Sequence, residues 1–142
     1  MSNIRFHFPL GGFSLPERSS LKSFIKEIFK KEKKKLDDLQ YIFCSDNYLL
    51  RINQQHLHHD FYTDIITFGL SESGQAVNAE IYISVERVKD NSKNFNASFK
   101  RELHRVMFHG VLHLCGYKDK SKKEKQLIRE KEDMYLTLYF GK

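Results

Sequence analysis

Two histidines, His109 and His113, are the residues whose type and spacing point most directly to chemistry. Residues four apart on a helix lie about one turn, roughly 6 Å, above each other on nearly the same face, where two imidazoles can share one metal ion. Gly116 follows and can end the helix, because glycine enters the left-handed conformation without a steric penalty from a Cβ atom. The chain can then turn back and bring Asp119 toward the two rings. The spacing therefore predicts a metal site with three protein ligands and one open position.

The same spacing, H-x-x-x-H-x-x-G-x-x-D, occurs in metzincin-type proteases with Asp as the third ligand. Those proteases carry a glutamate beside the first histidine as their general base, whereas this chain has Gly110 in that place. A metzincin-like metalloprotease is therefore an alternative interpretation. A second alternative is a non-catalytic RNA- or ribosome-binding module with a structural metal, although structural zinc sites usually have four ligands.

The run from His109 to Asp119 reads His-Gly-Val-Leu-His-Leu-Cys-Gly-Tyr-Lys-Asp. It closely resembles the motif of the YbeY-type endoribonucleases, metal-dependent proteins of bacterial rRNA maturation. The usual family form ends Gly-Tyr-Asp-His, so Asp119 stands here at the offset of the family's third histidine. The resemblance implies a hydrolase with one Zn²⁺ per chain, held by His109, His113 and Asp119. A zinc ion with three protein ligands can polarise a phosphodiester and lower the pKa of its water from about 15.7 toward about 7.

A second region resembles the same family. Ile52-Asn53 matches the start of its Leu-Asn-x-x-Tyr-Arg segment, and residues 62–68 match its Pro-Thr-Asp-Val-Leu-Ser-Phe motif. Leu57 stands where the family has an arginine associated with RNA cleavage, so a phosphate clamp must come from elsewhere or be weaker. Several residues are candidates for a general base or for a group that supports the ligands, and the sequence does not choose among them: Asp64, Glu80, His58 and His59.

Charge and composition agree with an RNA partner. The chain has 24 Lys and Arg against 18 Asp and Glu, a net charge of +6, and this balance suits a polyanion. The resemblance implies rRNA and ribosomal particles as partners, and no DNA is expected. Taken together, the residues and the resemblance predict a single-strand-specific endoribonuclease that acts in rRNA processing, ribosome biogenesis and ribosome quality control.

The remaining features predict one cytoplasmic domain. The 142 residues suit a single domain spanning 1–142, long enough to bury a sizeable core. The N-terminus lacks the apolar segment of a signal peptide, and no apolar run approaches the ~20 residues that cross a membrane. Cys44 and Cys115 stand alone, which fits a reducing compartment.

Apolar periodicity predicts the element order β-α-β-α-β-β-α-α-α. Ser84 is expected to cap a helix, and Ser121 with Glu124 forms a capping-box pattern before the last helix. That helix is expected to turn four side chains inward: Leu127, Ile128, Tyr135 and Leu138. The predicted fold is therefore α+β, a single domain in which a four-stranded mixed sheet packs with about five helices and the metal site lies in a cleft.

Overall fold

Four strands form one mixed sheet in the order β1-β2-β4-β3. The structure is a computed structural model that describes residues 2–11, 13–57, 63–72 and 74–141. The strands are β1 (Asn3–His7), β2 (Leu36–Cys44), β3 (Ile65–Gly69) and β4 (Val77–Ser84), and the helices are α1 (Arg18–Lys31), α2 (Asp46–His56), α3 (Val85–Asn94), α4 (Phe99–Leu114) and α5 (Lys122–Phe140). This order and the α+β architecture confirm the sequence prediction.

The sheet combines two parallel pairings with one antiparallel pairing. Strand β1 runs parallel to β2, with Ile4 opposite Leu39, and β2 runs parallel to β4, with Tyr41 opposite Ile81. Strand β3 runs antiparallel to β4. The apolar patterns predict strands at Gln40–Cys44 and Ala79–Ile83, but β2 and β4 begin earlier, at Leu36 and Val77. Pairing with neighbouring strands extends both strands beyond these apolar runs.

The main core lies between one face of the sheet and the helices α1, α4 and α5. Its largest fully buried side chains include Tyr41, Phe29 and Phe108. A smaller cluster on α2 and β3, which contains Leu49, Ile52 and Ile66, is joined by Phe68 and Tyr82. The helix α4 is the central helix of the main core, since it contacts α5, α3, α1 and the strands β3 and β4.

Four helices begin with serine caps, and two of these caps, Ser84 and Ser121, are those that the sequence predicts. Ser84 accepts a hydrogen bond from the backbone N–H of Arg87, and Ser98 does the same for Arg101. Ser121 and Glu124 form the expected capping box at the start of α5. Each cap satisfies a backbone donor that the helix itself leaves unpaired, and such caps contribute about 1 kcal/mol each.

The inward face of α5 differs from the prediction in two positions. Ile128 and Tyr135 are buried as expected, but Leu127 is 49% exposed and Leu138 is 52% exposed. The helix packs on the core through one stripe only, and Glu132 and Leu136 complete that stripe. Leu127 and Leu138 lie about a quarter turn or more away from its centre, so the apolar pattern of α5 contains a second, exposed strip.

The described residues contain no helix that is both long enough and apolar enough to cross a membrane.

Candidate metal centre

The end of α4 is shaped by Gly116. Its φ of 106° is left-handed, a region that glycine enters without steric cost. The Gly116 N–H donates to the His113 carbonyl at 3.1 Å, and the Tyr117 N–H donates to the Leu112 carbonyl at 3.0 Å. These two bonds form a Schellman motif, which ends the helix at Leu114, one residue after His113. The chain then reverses direction, as the sequence predicts, and carries Asp119 back over the last turn.

The three predicted ligands come together. The ring centroids of His109 and His113 are 5.6 Å apart. Asp119 Oδ2 lies 3.3 Å from His109 Nε2, and Asp119 Oδ1 lies 3.9 Å from His113 Nε2. One ligand atom from each of the three residues fits within a mutual distance of 4.8 Å. Tetrahedral ligands about 2.1 Å from a zinc ion are about 3.4 Å from one another, so the spacing is close to that which a metal requires.

Both imidazoles are oriented by a hydrogen bond at the nitrogen that faces away from Asp119. His109 Nδ1 donates to Glu132 Oε2 at 2.6 Å, and His113 Nδ1 donates to the Tyr117 carbonyl at 2.7 Å. Because both acceptors are oxygens without a proton to give, Nδ1 carries the hydrogen and Nε2 presents its lone pair toward Asp119. Metal-binding histidines are typically held in this way, so the donor set fits a divalent metal ion.

Glu132 is shared between the metal centre and a buried arginine. Its other oxygen, Oε1, accepts from Arg105 Nη1 at 3.0 Å, and Arg105 Nη2 donates to Asp133 Oδ1 at 2.6 Å. The side chain of Glu132 is only 5% exposed, whereas that of Asp133 is 56% exposed. Glu132 is therefore a buried carboxylate with both oxygens occupied, which fixes the angle of the His109 ring.

The surroundings of His109 favour a positive charge. Burial lowers the pKa of His109, but the hydrogen bond and charge of Glu132, with further contributions from Asp119 and Asp64, raise that pKa above its ordinary value. An environment that favours a proton on the imidazole also favours a cation beside it, because both are stabilised by the same carboxylates. The electrostatics therefore agree with the geometry of a metal site.

The loop that carries Asp119 is braced from two helices. Tyr117, whose carbonyl orients His113, donates its hydroxyl to Glu32 Oε1 at 2.8 Å. The Tyr135 hydroxyl donates to the other oxygen of Glu32 at 2.5 Å, and Lys131 Nζ lies 3.7 Å from that oxygen. Glu32 directly follows α1, and Tyr135 and Lys131 lie on α5. The loop that carries Asp119 is therefore attached to elements distant in sequence.

A cleft of about 620 Å³ opens beside the three ligands. Asp64, just before β3, lines this cleft and accepts a hydrogen bond from Asn91 Nδ2 at 3.4 Å. Burial raises the pKa of Asp64, although the charge of His109 and the hydrogen bond from Asn91 act in the opposite direction. Leu57, at the end of α2, lines the same cleft and is 38% exposed.

Among the other candidate bases, the structure describes only Glu80, which lies away from the cleft. Glu80 sits on β4 next to Ile81, and Ile81 faces α4, so Glu80 faces the opposite side of the sheet. The hydroxyl of Tyr82, on that same side, donates to Glu80 Oε1 at 3.0 Å. Glu80 is thus directed away from the three ligands. His58 and His59 lie outside the described residues.

The position beside His109 packs against the sheet. A Cβ atom added to Gly110 would lie 2.8 Å from Ile81 Cδ1 and 3.1 Å from Ile65 Cδ1. Real Cβ atoms do not approach other heavy atoms at 2.8 Å, so α4 sits this close to the strands only because residue 110 is glycine. A glutamate there would enter the helix–sheet contact, which explains structurally why the base of the metzincin motif has no place in this site.

Sequence reasoning did not identify Glu132, the residue that holds His109. One signal was present, since Glu132 lies four residues after Ile128 and three before Tyr135 on the buried stripe of α5. A single carboxylate at such spacing on an apolar face indicates a buried partner. The sequence could not specify that partner, because Glu132 and His109 are 23 residues apart.

Sequence comparisons with known proteins find one family. The sequence profile of the family described as endoribonuclease YbeY matches residues 14–139. The protein named endoribonuclease YbeY from Cytophaga hutchinsonii is 50% identical over 126 residues, which cover 89% of this chain and 88% of that protein. The protein of the same name from Flavobacterium psychrophilum is 46% identical over 139 residues, which cover 98% of each.

The fold also matches a solved structure. The solution structure of a Thermotoga maritima protein covers 98% of this chain and 90% of its own chain, with a TM-score of 0.68 and 32% sequence identity. The family profile matches nearly the whole chain, and the relatives match over most of their own length. The chain therefore belongs to the endoribonuclease YbeY family.

Proposed function

We propose that this protein is a metal-dependent endoribonuclease that hydrolyses single-stranded RNA, with one zinc ion held by His109, His113 and Asp119. The observation that carries the proposal is the convergence of two Nε2 atoms and one carboxylate on a common point, with both Nδ1 atoms anchored. Family membership supports the reaction, since the relatives are named endoribonucleases. When bound, such an ion polarises a phosphodiester and acidifies water.

The side chains around the ligands have separate tasks in this proposal. Glu132 and the Tyr117 carbonyl hold the two imidazoles in the tautomer that leaves Nε2 free. Asp64 shares the cleft with His109, and burial raises its pKa. A carboxyl with a raised pKa holds a proton more readily than an ordinary carboxyl and can return it. Among the described candidates, Asp64 is therefore our choice for the general acid–base group.

The biological setting is part of the same proposal. The net charge of +6 favours association with RNA, and the family resemblance favours rRNA and ribosomal particles as the partners. We place the activity in rRNA maturation and ribosome quality control, in the cytoplasm. A metalloprotease is disfavoured by Gly110, whose surroundings leave no room for the glutamate base.

The first test measures metal content. Elemental analysis of the purified protein should find about one divalent ion per chain, and His109→Ala and His113→Ala should each lose it, because two remaining ligands hold the ion poorly. Lys26→Ala, which changes an exposed residue of α1, is the control and should keep the ion. Unchanged metal content in both histidine variants would remove the proposed site.

The second test measures substrate class. Unstructured RNA should be cut by the metal-loaded protein and not after treatment with a chelator, whereas unfolded casein should stay intact under both conditions. His109→Ala should lose the cleavage of RNA. Peptide cleavage that disappears in His109→Ala would instead favour the protease, and RNA binding without cleavage would favour the non-catalytic module.

A further inference from the structure

The cleft beside the ligands has basic residues on two of its walls. Arg105 of α4, and Lys125 and Arg129 of α5, line it together with the ligands. The wall formed by α2 contributes Asn53 and Leu57, which are uncharged. A single-stranded RNA with one phosphate at the proposed metal ion brings its neighbouring phosphates to the rim of this cleft. Further cations at the rim would offset the lost hydration of those phosphates.

Arg105 is not available for this task. Its guanidinium donates to Glu132 at 3.0 Å and to Asp133 at 2.6 Å, and its Nε lies 4.0 Å from Glu102. The side chain is only 13% exposed. Three carboxylates therefore surround a single positive charge, and Arg105 serves to hold Glu132 rather than to attract a polyanion.

Lys125 and Arg129 are more exposed than Arg105 and are held less closely by carboxylates, although the charges of Arg129 and Glu102 interact. Both are exposed, and no carboxylate lies within ion-pair distance of either among the residues that the structure describes. They are four residues apart on α5, so their stems project from adjacent turns on one side of the helix. Both lie on the cleft side of α5, together with the buried Ile128 and Glu132.

We propose that Lys125 and Arg129 bind the phosphodiester backbone of the RNA substrate at the rim of the metal cleft. This inference rests on the proposed endoribonuclease function and assigns its substrate-binding cations. Arg129 offers a planar fork that can hold two phosphate oxygens, and Lys125 offers a compact point charge. Such contacts are independent of base identity, because a phosphate carries no sequence information.

The same helix provides a control for the general effect of charge. Lys122 and Lys123 are exposed on the first turn of α5, and neither lines the cleft. The double variant Lys125→Gln/Arg129→Gln therefore removes two positive charges at the rim, and Lys122→Gln/Lys123→Gln removes two from the same helix away from it. Glutamine has a helix propensity close to that of lysine and arginine, so both variants should keep the parent's circular dichroism and melting temperature.

The experiment measures binding of a labelled single-stranded RNA in the presence of a chelator, so that no cleavage occurs, at several salt concentrations. The rim variant should bind roughly tenfold or more weakly than the parent. A plot of log K against log salt has a negative slope, and its magnitude should decrease by about 1.4 in the rim variant. Each of the two lost phosphate contacts to a single strand contributes about 0.7 to that magnitude. The control variant should stay within about threefold of the parent. The exchange Lys125→Arg/Arg129→Lys keeps both charges and should restore most of the affinity.

Kinetics with the metal-loaded protein provide an independent readout. The rim variant should raise KM more than it lowers kcat, because the contacts are made before and during the reaction alike. Equal weakening of the rim and control variants would overturn this inference and leave the proposed function standing. A parent protein that neither binds nor cuts RNA would overturn the proposed function, and this inference with it.

Discussion

Replacing Glu132 tests whether the buried carboxylate sets the metal affinity of His109. The variant Glu132→Gln keeps the size of the side chain but has one acceptor oxygen instead of two. In the parent, one oxygen accepts from His109 Nδ1 at 2.6 Å and the other from Arg105 Nη1 at 3.0 Å. Whichever way the amide is turned, its NH₂ group faces a donor. One of the two contacts must therefore be lost.

The size of the effect follows from the position of Glu132. Its side chain is 5% exposed, so water does not replace a contact that is lost there. We therefore expect the free energy of unfolding to fall by about 1–3 kcal/mol. Loss of a carboxylate that orients a metal-binding histidine typically weakens metal binding by about 10- to 100-fold. That range corresponds to about 1.4–2.7 kcal/mol. The loss of zinc affinity in Glu132→Gln should lie within this range, although none of the three proposed ligands has been changed.

Competition between the protein and a chromophoric chelator measures zinc affinity directly, and the visible spectrum of the cobalt form reports the geometry around the ion. Asp133→Asn is the matched control, because Asp133 contacts the same arginine at 2.6 Å but is 56% exposed and does not touch His109. The control should bind zinc within about threefold of the parent. The reasoning is refuted if Glu132→Gln binds zinc as tightly as the parent, or if Asp133→Asn loses as much affinity.

Substitutions at three further positions test the packing of α4 on the sheet, the titration of His104 and the third proposed ligand. Gly110→Ala should destabilise the fold by about 1 kcal/mol in chemical denaturation, because overpacking against Ile81 at 2.8 Å outweighs the gain in helix propensity of about 1 kcal/mol; a more stable variant would contradict the close contact. Burial lowers the pKa of His104, against the hydrogen bond between its Nδ1 and the Lys100 carbonyl. The contribution of His104 to the free energy of unfolding should therefore be complete above the pKa of an unfolded histidine, about 6.5. Below that pH it should decrease, by at most about 1.4 kcal/mol per pH unit. His104→Phe should flatten this fall between pH 7 and pH 5, and an unchanged slope would contradict the assignment. Asp119→His should keep the metal and move the acidic limb of the pH–rate profile for RNA cleavage to lower pH, since a neutral imidazole cancels none of the ion's charge; Asp119→Ala should lose metal affinity. If Asp119→Ala binds metal as tightly as the parent and Asp119→His leaves the profile unmoved, Asp119 is not a ligand.

Much of the site could be predicted from the sequence because it is built from local devices. The spacing of His109 and His113, the left-handed turn at Gly116 and the return of Asp119 all lie within eleven consecutive residues, and helix geometry alone relates them. The serine caps and the capping box are local in the same sense, because each joins residues only a few positions apart. These signals also placed the element order correctly, since hydrophobic periodicity reports local structure.

The tertiary structure decided which distant residues support the ligands. Glu132 reaches His109 across 23 residues, and Glu32 reaches Tyr117 across 85. No local pattern encodes either contact, because each depends on how whole helices pack against one another. Packing also decided that Glu80 faces away from the site while Asp64 faces into it, and that Leu127 stays exposed. The sequence alone thus determined the proposed metal ligands as a local motif, because helix geometry relates them. The packing of α5 against α4 determined the carboxylate that orients His109 and the cations that line the cleft.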